Sequence, residues 1–123
     1  MSYFKLMMAG LLIIAVSFGT GFSAEKKAKI TFIELGSTSC IPCKKMQPIM
    51  KSLEKKYGEQ LKVTFIDVWK KENKDKSDKY GIKLIPTQIF QDENGKEIHR
   101  HEGYYPEKDI DKFLQSKGLK ILK

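Results

Sequence analysis

The two cysteines of this chain, Cys40 and Cys43, are the residues whose type and spacing are best suited to carrying out a chemical reaction. Residues 30–35 before them are rich in β-branched and aromatic side chains and predict a buried strand, and residues 44–57 after them predict a helix. A helix N-terminus offers unpaired N–H groups and a partial positive charge, which both favour a thiolate. The second thiol can close a disulfide with the first, so the pair predicts thiol–disulfide exchange.

A purely structural disulfide is the alternative use of two cysteines in an exported chain. Such a bridge stabilises a protein mainly by closing a long loop in the unfolded chain. Cys40 and Cys43 enclose only Ile41 and Pro42. A loop this short adds little stability, so we expect the pair to serve redox chemistry.

The N-terminal residues 6–24 carry no charge and are mostly apolar, with Lys5 before them and residues 25–27 charged after them. This pattern predicts a secretory signal peptide in residues 1–24. An uncleaved membrane anchor is the alternative, because the segment is close to the roughly 20 residues that span a bilayer. The lysines that follow would then lie outside, against the positive-inside tendency. Either way, we expect residues 25–123 to form one extracytoplasmic domain, in a bacterial periplasm or cell envelope.

The chain has 123 residues and a net charge of +8. Its length predicts one folded domain. The lysines alternate with acidic residues, as in residues 70–76, which indicates a solvated basic surface. No nucleic-acid-binding motif accompanies the charge, so we expect no nucleic-acid partner. Attraction to anionic membranes or acidic partners stays open.

The order of the remaining elements predicts an α/β fold with a four-stranded mixed sheet, β-α-β-α-β-β-α. We expect a strand at 30–35, the helix at 44–57, a strand at 61–68, a short helix within 69–80, a strand ending at 91, a returning strand at 96–102 and a helix between Pro106 and Gly118. A strand–helix–strand unit gives a parallel pair, and the turn signal at 92–95 gives an antiparallel hairpin. The dithiol then lies at the C-terminal end of the first strand, where reaction sites of open α/β sheets occur.

With this element order the chain resembles a thioredoxin-fold protein. The resemblance spans residues 29–114 and is carried by Glu34-Leu35, Cys40-Ile41-Pro42-Cys43-Lys44, Gly81-Ile82, Ile85-Pro86-Thr87, Asn94-Gly95 and Gly103. It implies a thiol–disulfide oxidoreductase that uses its own disulfide, with no cofactor and no metal. The first strand and helix of full thioredoxins have no counterpart in the pattern. We therefore expect a version trimmed at the N-terminus, with strand 61–68 at or near the edge of the sheet.

The resemblance also implies roles for single residues. Cys40 resembles the attacking cysteine, and Cys43 resembles the resolving one. Pro86 matches the family's cis-proline, and Ile85 before it would offer its backbone to an extended substrate segment. Gly103 matches a glycine that lets a substrate approach closely.

Departures from the family pattern concern the surroundings of the dithiol. Ser39 replaces the usual tryptophan, and Ile41 replaces a glycine beside the reactive sulfur, where it and Pro42 would meet the substrate. Glu34 replaces a buried aspartate that moves the proton of the resolving cysteine; a strand-end carboxylate that reaches solvent is the alternative. Pro42 resembles the reducing branch, whereas oxidases and isomerases usually carry histidine there. We therefore expect a reductase, with an oxidase or isomerase as the alternative.

Two other classes of function compete with redox catalysis. Metal handling would need more ligands than Cys40 and Cys43, because zinc prefers four. His99 and His101 share one strand face and could add two ligands, but we expect them to be surface histidines. The other class is a binding module without activity. We expect a monomer whose partners are protein disulfide substrates and an unidentified electron donor in the membrane or envelope.

Overall fold

A computed structural model of the protein describes residues 27–123 and, before them, Gly19. The predicted signal peptide or anchor at residues 1–24 lies outside the described residues, apart from that glycine. Within the described part, no helix combines the length and apolar character that crossing a membrane requires.

Four strands form one mixed sheet in the order β2-β1-β3-β4. β1 (Ile30–Gly36) pairs in parallel with β2 (Leu61–Asp67) and antiparallel with β3 (Thr87–Asp92). β3 pairs antiparallel with β4 (Glu97–Glu102). The four-stranded mixed sheet is as predicted, and β2 lies at its edge. β1, which leads to the dithiol, is central and flanked by strands on both sides.

The helices are α1 (Ile41–Tyr57), α2 (Lys74–Lys79) and α3 (Glu107–Ser116), with short 3₁₀ turns at Gly58–Gln60 and Lys71–Asn73. α1 begins earlier than the predicted residue 44 because Cys40 is its N-cap: the Cys40 sulfur accepts a hydrogen bond from the Cys43 N–H. Pro42 suits the first turn of a helix, where no N–H partner is lost. Cys43 therefore lies inside the helix rather than before it.

The two faces of the sheet bury separate apolar clusters. Phe32 on one face packs with the helices α1 and α3, and its ring stacks on Phe90 with the centroids 4.9 Å apart. Leu35 on the opposite face packs with Ile89. Because side chains alternate along a strand, Glu34 projects to the same face as Phe32, beneath α1. Three side chains of α1 are buried in this first cluster: Met46, Ile49 and Met50.

A tight hairpin joins β3 to β4. The N–H of Gly95 donates to the carbonyl of Asp92 at 3.0 Å, and the Gly95 φ of +79° is one that glycine adopts without strain. The hairpin sets the register in which His101 of β4 lies directly opposite Gln88 of β3.

Candidate active site

Cys40 and Cys43 form a disulfide at the N-terminus of α1, with their Cα atoms 5.1 Å apart. The two residues differ sharply in exposure. Cys40 is partly exposed, whereas Cys43 is completely buried. A partner disulfide would therefore meet Cys40 first.

The backbone at the start of α1 favours negative charge on Cys40. Its sulfur accepts a hydrogen bond from the N–H of Cys43 at 3.4 Å. The positive end of the helix dipole lies at the same point, and the first turn carries no acidic residue to offset it. After reduction, these groups stabilise a thiolate at Cys40.

Gly36, the last residue of β1, lies directly against the buried cysteine. A Cβ atom built on Gly36 would lie 3.0 Å from the sulfur of Cys43 and 3.3 Å from its Cβ. Glycine is therefore what lets α1 seat Cys43 on the end of β1.

Replacing Gly36 with alanine is expected to lower the free energy of unfolding of the reduced protein by about 1–3 kcal/mol, as overpacking of a close-packed site does. Denaturant unfolding under reducing conditions measures this cost. In a Cys43→Ala background the sulfur is gone, so the same substitution should cost less. An equal cost in both backgrounds would contradict the contact.

Glu34 lies two residues before Gly36 on the same strand face and is completely buried. Its Oε1 accepts a hydrogen bond from the Gln88 amide at 3.2 Å. Among the described residues, nothing donates a hydrogen bond to its other oxygen. Burial raises the pKa of Glu34 to about 8, although the Gln88 hydrogen bond acts in the opposite direction. The alternative of a carboxylate that reaches solvent is therefore wrong.

The position of Glu34 suits proton exchange with the buried cysteine. Successive residues on one strand face are about 6.5 Å apart. Gly36 lies against Cys43, so Glu34 is the preceding residue on the strand face that Cys43 covers. A carboxyl group whose pKa is near neutrality can both take and return a proton.

The loop before β3 completes the site. The Ile85–Pro86 peptide bond is cis, as the resemblance implies. Leu35 pairs with Thr87, which places Pro86 beside the end of β1 where Cys43 packs. The carbonyl of Pro86 accepts a hydrogen bond from the N–H of Gly103 at 2.7 Å.

The predicted substrate-binding residues fall into an exposed and a buried group. Ile41 is 70% exposed, and Pro42 beside it is exposed as well. Pro86 is buried, while Ile85 and Gly103 are half-buried. Gly103 has a φ of +87° and open space around its Cα, so the turn geometry is what favours glycine there.

The profile of the thioredoxin-like domain family matches residues 22–118 of this chain. The chain belongs to that family. Thioredoxin of Bacillus subtilis (strain 168) is 29% identical over 93 residues, which cover 76% of this chain and 86% of that protein. Chloroplastic thioredoxin Y of Oryza sativa subsp. japonica is 33% identical over 99 residues, which cover 80% of this chain and 56% of that protein.

Solved structures of thioredoxins share the fold. A mutant thioredoxin from Halobacterium salinarum is similar with a TM-score of 0.64 and 21% identity, covering 78% of this chain and 79% of that one. The germline-specific thioredoxin Deadhead of Drosophila melanogaster has a TM-score of 0.62 and 28% identity, covering 72% and 80%. With its Cys40–Cys43 pair, this thioredoxin-like protein is a thiol–disulfide oxidoreductase that acts on protein disulfides.

Asp67, at the end of β2, positions the loop before the dithiol and is not among the predicted site residues. Its Oδ2 accepts hydrogen bonds from the backbone N–H of Thr38 at 3.3 Å and from the Thr38 hydroxyl at 3.4 Å. Its Oδ1 accepts from the N–H of Trp69 at 3.0 Å. Burial acts to raise the pKa of Asp67, but hydrogen bonds from Trp69 and Thr38 outweigh it and lower the pKa. The sequence did contain a signal for this role, because Asp67 is an acidic residue at the end of the strand that runs parallel to β1.

Gln88 is the second positioning residue that sequence reasoning missed. It is completely buried, and its amide joins Glu34 to His101. The available signal was a polar side chain directly before the apolar Ile89 and Phe90 of β3, where a buried polar group needs hydrogen-bond partners.

His99 and His101 lie on the edge strand, as expected, but they are only partly exposed. Both are partly buried beneath aromatic rings: His99 stacks on Phe113 at 4.4 Å and His101 on Tyr105 at 3.9 Å between centroids. Aromatic packing explains why this strand face carries imidazoles. In the described part of the chain, no cluster of three or more histidine, cysteine or acidic side chains is arranged to hold a metal ion.

Proposed function

We propose that this oxidoreductase reduces protein disulfides and works outside the cytoplasmic membrane. The observation that carries the reducing direction is the site itself: a partly exposed Cys40 at a helix N-terminus, with Pro42 rather than histidine in the motif. A histidine there would add a further charge that favours the thiolate and hence the oxidising branch. The buried Cys43 and Glu34 supply the second half of the reaction.

In the first step the thiolate of Cys40 attacks a sulfur of the partner disulfide. A bond forms between Cys40 and that sulfur, the partner's S–S bond breaks, and the other partner sulfur leaves as a thiolate that takes a proton. In the second step Glu34 accepts the proton of Cys43, whose sulfur attacks Cys40. The Cys40–Cys43 disulfide forms and the second partner sulfur leaves. The partner gains two electrons, and the protein loses them.

Apolar side chains around the dithiol support a protein substrate. Each lies next to a residue of the site and remains exposed: Ile41 70%, Trp69 63%, Leu84 45% and Tyr104 45%. The half-buried Ile85 precedes the cis-proline, where its backbone would pair with an extended segment of the substrate. Exposed apolar side chains beside a dithiol suit a polypeptide better than a small thiol.

The proposed location rests on residues 1–24, whose charge and hydropathy pattern is that of a signal peptide or an anchor. An oxidising compartment keeps the Cys40–Cys43 pair oxidised unless an electron donor reduces it. We therefore propose a donor in the membrane or envelope and a monomeric protein that docks on it. Recovery of the full chain only in the cytosol after cell fractionation would contradict this location.

The reducing direction is tested by the reduction potential of the Cys40–Cys43 pair together with insulin reduction. We expect a potential nearer to about −270 mV than to about −120 mV, and catalysed precipitation of insulin chains. Cys40→Ser is the inactive control and Ser39→Ala, at the neighbouring exposed position, is the active control. A potential near −120 mV would favour the oxidase alternative, and an inactive wild-type protein would contradict a reductase.

A further inference from the structure

A row of hydrogen bonds crosses the sheet from its edge to the buried acid. Glu34 of β1 lies directly opposite Gln88 of β3, which lies directly opposite His101 of β4. The Gln88 amide N–H donates to Oε1 of Glu34 at 3.2 Å. Its carbonyl oxygen, Oε1, is 2.8 Å from Nδ1 of His101. Because Gln88 is completely buried, water does not replace these bonds.

The amide gives this row a direction. An amide has one end that only donates and one that only accepts. With its N–H₂ turned to Glu34, its oxygen faces His101, so Nδ1 of the imidazole must carry a hydrogen. This arrangement suits a carboxylate at Glu34. A protonated Glu34 can keep this arrangement only with its hydrogen on Oε2, which has no partner among the described residues. If the hydrogen is on Oε1, the amide must rotate, and Nδ1 of His101 must then accept from its N–H₂.

The charge of the His101 imidazole determines which orientations of the Gln88 amide can form a hydrogen bond to it. A neutral imidazole can donate or accept at Nδ1, so it tolerates both orientations of Gln88. A protonated imidazole donates at both nitrogens and tolerates only the orientation that suits a carboxylate. Charge on His101 and charge on Glu34 therefore favour each other through the amide between them.

We propose that Gln88 and His101 are positioning residues that couple the protonation of Glu34 to the charge of the imidazole on the edge strand. The consequence for catalysis rests on the proposed role of Glu34 as the proton acceptor of Cys43. We call the hydrogen-bonded row Glu34–Gln88–His101 the relay. By favouring the carboxylate when His101 is charged, the relay keeps a proton acceptor for Cys43 available toward lower pH.

Two other titratable side chains, His99 and Tyr105, lie near the relay. Burial, and then the charges of His101 and Lys117, lower the pKa of His99, which favours its neutral form. Burial, and then Asp109, raise the pKa of Tyr105, so its phenol stays protonated near neutrality.

Other groups near the pair come from α1, β2 and β4. α1 contributes the Cys43 thiol, which titrates only in the reduced protein. β2 offers the non-titrating Phe65 opposite Glu34. On β4, the charged Arg100 and Glu102 flank His101 but alternate to the other face of the strand. The coupled pair is therefore Glu34 and His101.

The test is a carbon-13 titration of the Glu34 carboxyl group in the oxidised full-length protein, in which the disulfide-bonded Cys43 does not titrate. Gln88→Met removes both hydrogen bonds at similar size, and His101→Gln keeps a donor but removes the charge. We expect Gln88→Met to raise the midpoint of Glu34 by about one pH unit, which is tenfold in the protonation equilibrium, because it removes the hydrogen bond to Oε1. We expect His101→Gln to raise it by a smaller amount, because the charge that favours the carboxylate is lost while the amide keeps a partner. His99→Gln is the matched control, because His99 lies on the same strand face but bonds to the Tyr105 hydroxyl instead of Gln88.

An unmoved Glu34 midpoint in folded His101→Gln would overturn the relay, and so would an equal rise in His99→Gln. If Gln88→Met does not fold, the partly exposed His101 variant decides alone. Turnover plays no part in this titration, which separates the two proposals. If Glu34→Gln leaves insulin reduction unchanged, the proton-transfer role fails while the relay stands. If Glu34→Gln slows insulin reduction but the titration is unmoved, the relay fails and the role stands.

Discussion

Replacing Cys43 with serine is expected to stop turnover and to leave Cys40 joined to its partner protein by a disulfide. The first step needs only Cys40, which is partly exposed. The second needs a thiol held against the Cys40 sulfur, and Cys43 is the chain's only other cysteine. Well-oriented intramolecular groups act as if at about 10⁵ M or more, so an external thiol at millimolar concentration cannot substitute. We expect insulin reduction to fall by at least about 10³-fold.

Mass spectrometry and non-reducing gels measure the trapped product after incubation with a disulfide-bonded protein. The adduct should disappear on adding dithiothreitol. Cys40→Ser is the matched control, since it removes the other sulfur of the same pair and should form little adduct because Cys43 is completely buried. More adduct with Cys40→Ser than with Cys43→Ser would mean that the two cysteines have exchanged roles.

The dithiol and its strand-to-helix setting could be predicted from sequence because they depend on neighbours along the chain. Spacing identified Cys40 and Cys43, and periodicity identified the strand before them. The start of α1 was placed too late because the cap is an unusual one, a cysteine sulfur that accepts from the Cys43 N–H. The usual capping side chains are those of serine, threonine, aspartate and asparagine, so a cysteine is not an expected cap.

Contacts across the sheet could not be predicted in the same way. The bond between Gln88 and His101 depends on the register of β3 against β4, and a one-residue slip would turn every side chain to the opposite face. The same holds for Asp67, whose link to Thr38 depends on how far β2 extends beside β1. A sequence pattern marks such polar residues as unusual, but only the register shows which group each one meets.

Glu34 shows how the two kinds of information combine. Its position two residues before Gly36 and on the Phe32 face follows from strand alternation, which sequence supplies. Its unpartnered oxygen and raised pKa follow from burial under α1, which only the packing supplies. Because burying an ionised carboxyl group costs free energy, replacing Glu34 should change the stability of the protein.

Replacing Glu34 with glutamine is expected to stabilise the protein at neutral and alkaline pH. Burial raises the pKa of Glu34 from 4.5 to about 8 in the folded protein. The unfolded chain therefore releases this proton above pH 4.5 while the folded protein keeps it until about pH 8. The wild-type free energy of unfolding thus falls as the pH rises through that interval, by about 1.4 kcal/mol per pH unit. Glutamine does not titrate, so the variant lacks this loss.

The expected stabilisation is absent below pH 4.5, reaches about 3 kcal/mol at pH 7 and levels off near pH 8. Denaturant unfolding of the oxidised proteins at several pH values measures it. Glu54→Gln makes the same chemical change at an exposed position on α1 and should alter stability by no more than about 0.5 kcal/mol. A difference between wild type and Glu34→Gln that does not grow between pH 5 and 8 would show that Glu34 ionises freely in the folded protein.

The stabilised variant should be the slower enzyme. Without a carboxyl group beside the buried thiol, Cys43 must lose its proton to solvent that does not reach it, and loss of a positioned base costs about 10²-fold or more. Insulin reduction by Glu34→Gln should therefore fall, and its pH profile should lose the inflection near pH 8. Stability gained and rate lost from one substitution would mean that the buried acid is retained for proton transfer and not for folding. If Glu34→Gln is more stable but reduces insulin at the wild-type rate, Glu34 takes no part in the second exchange step.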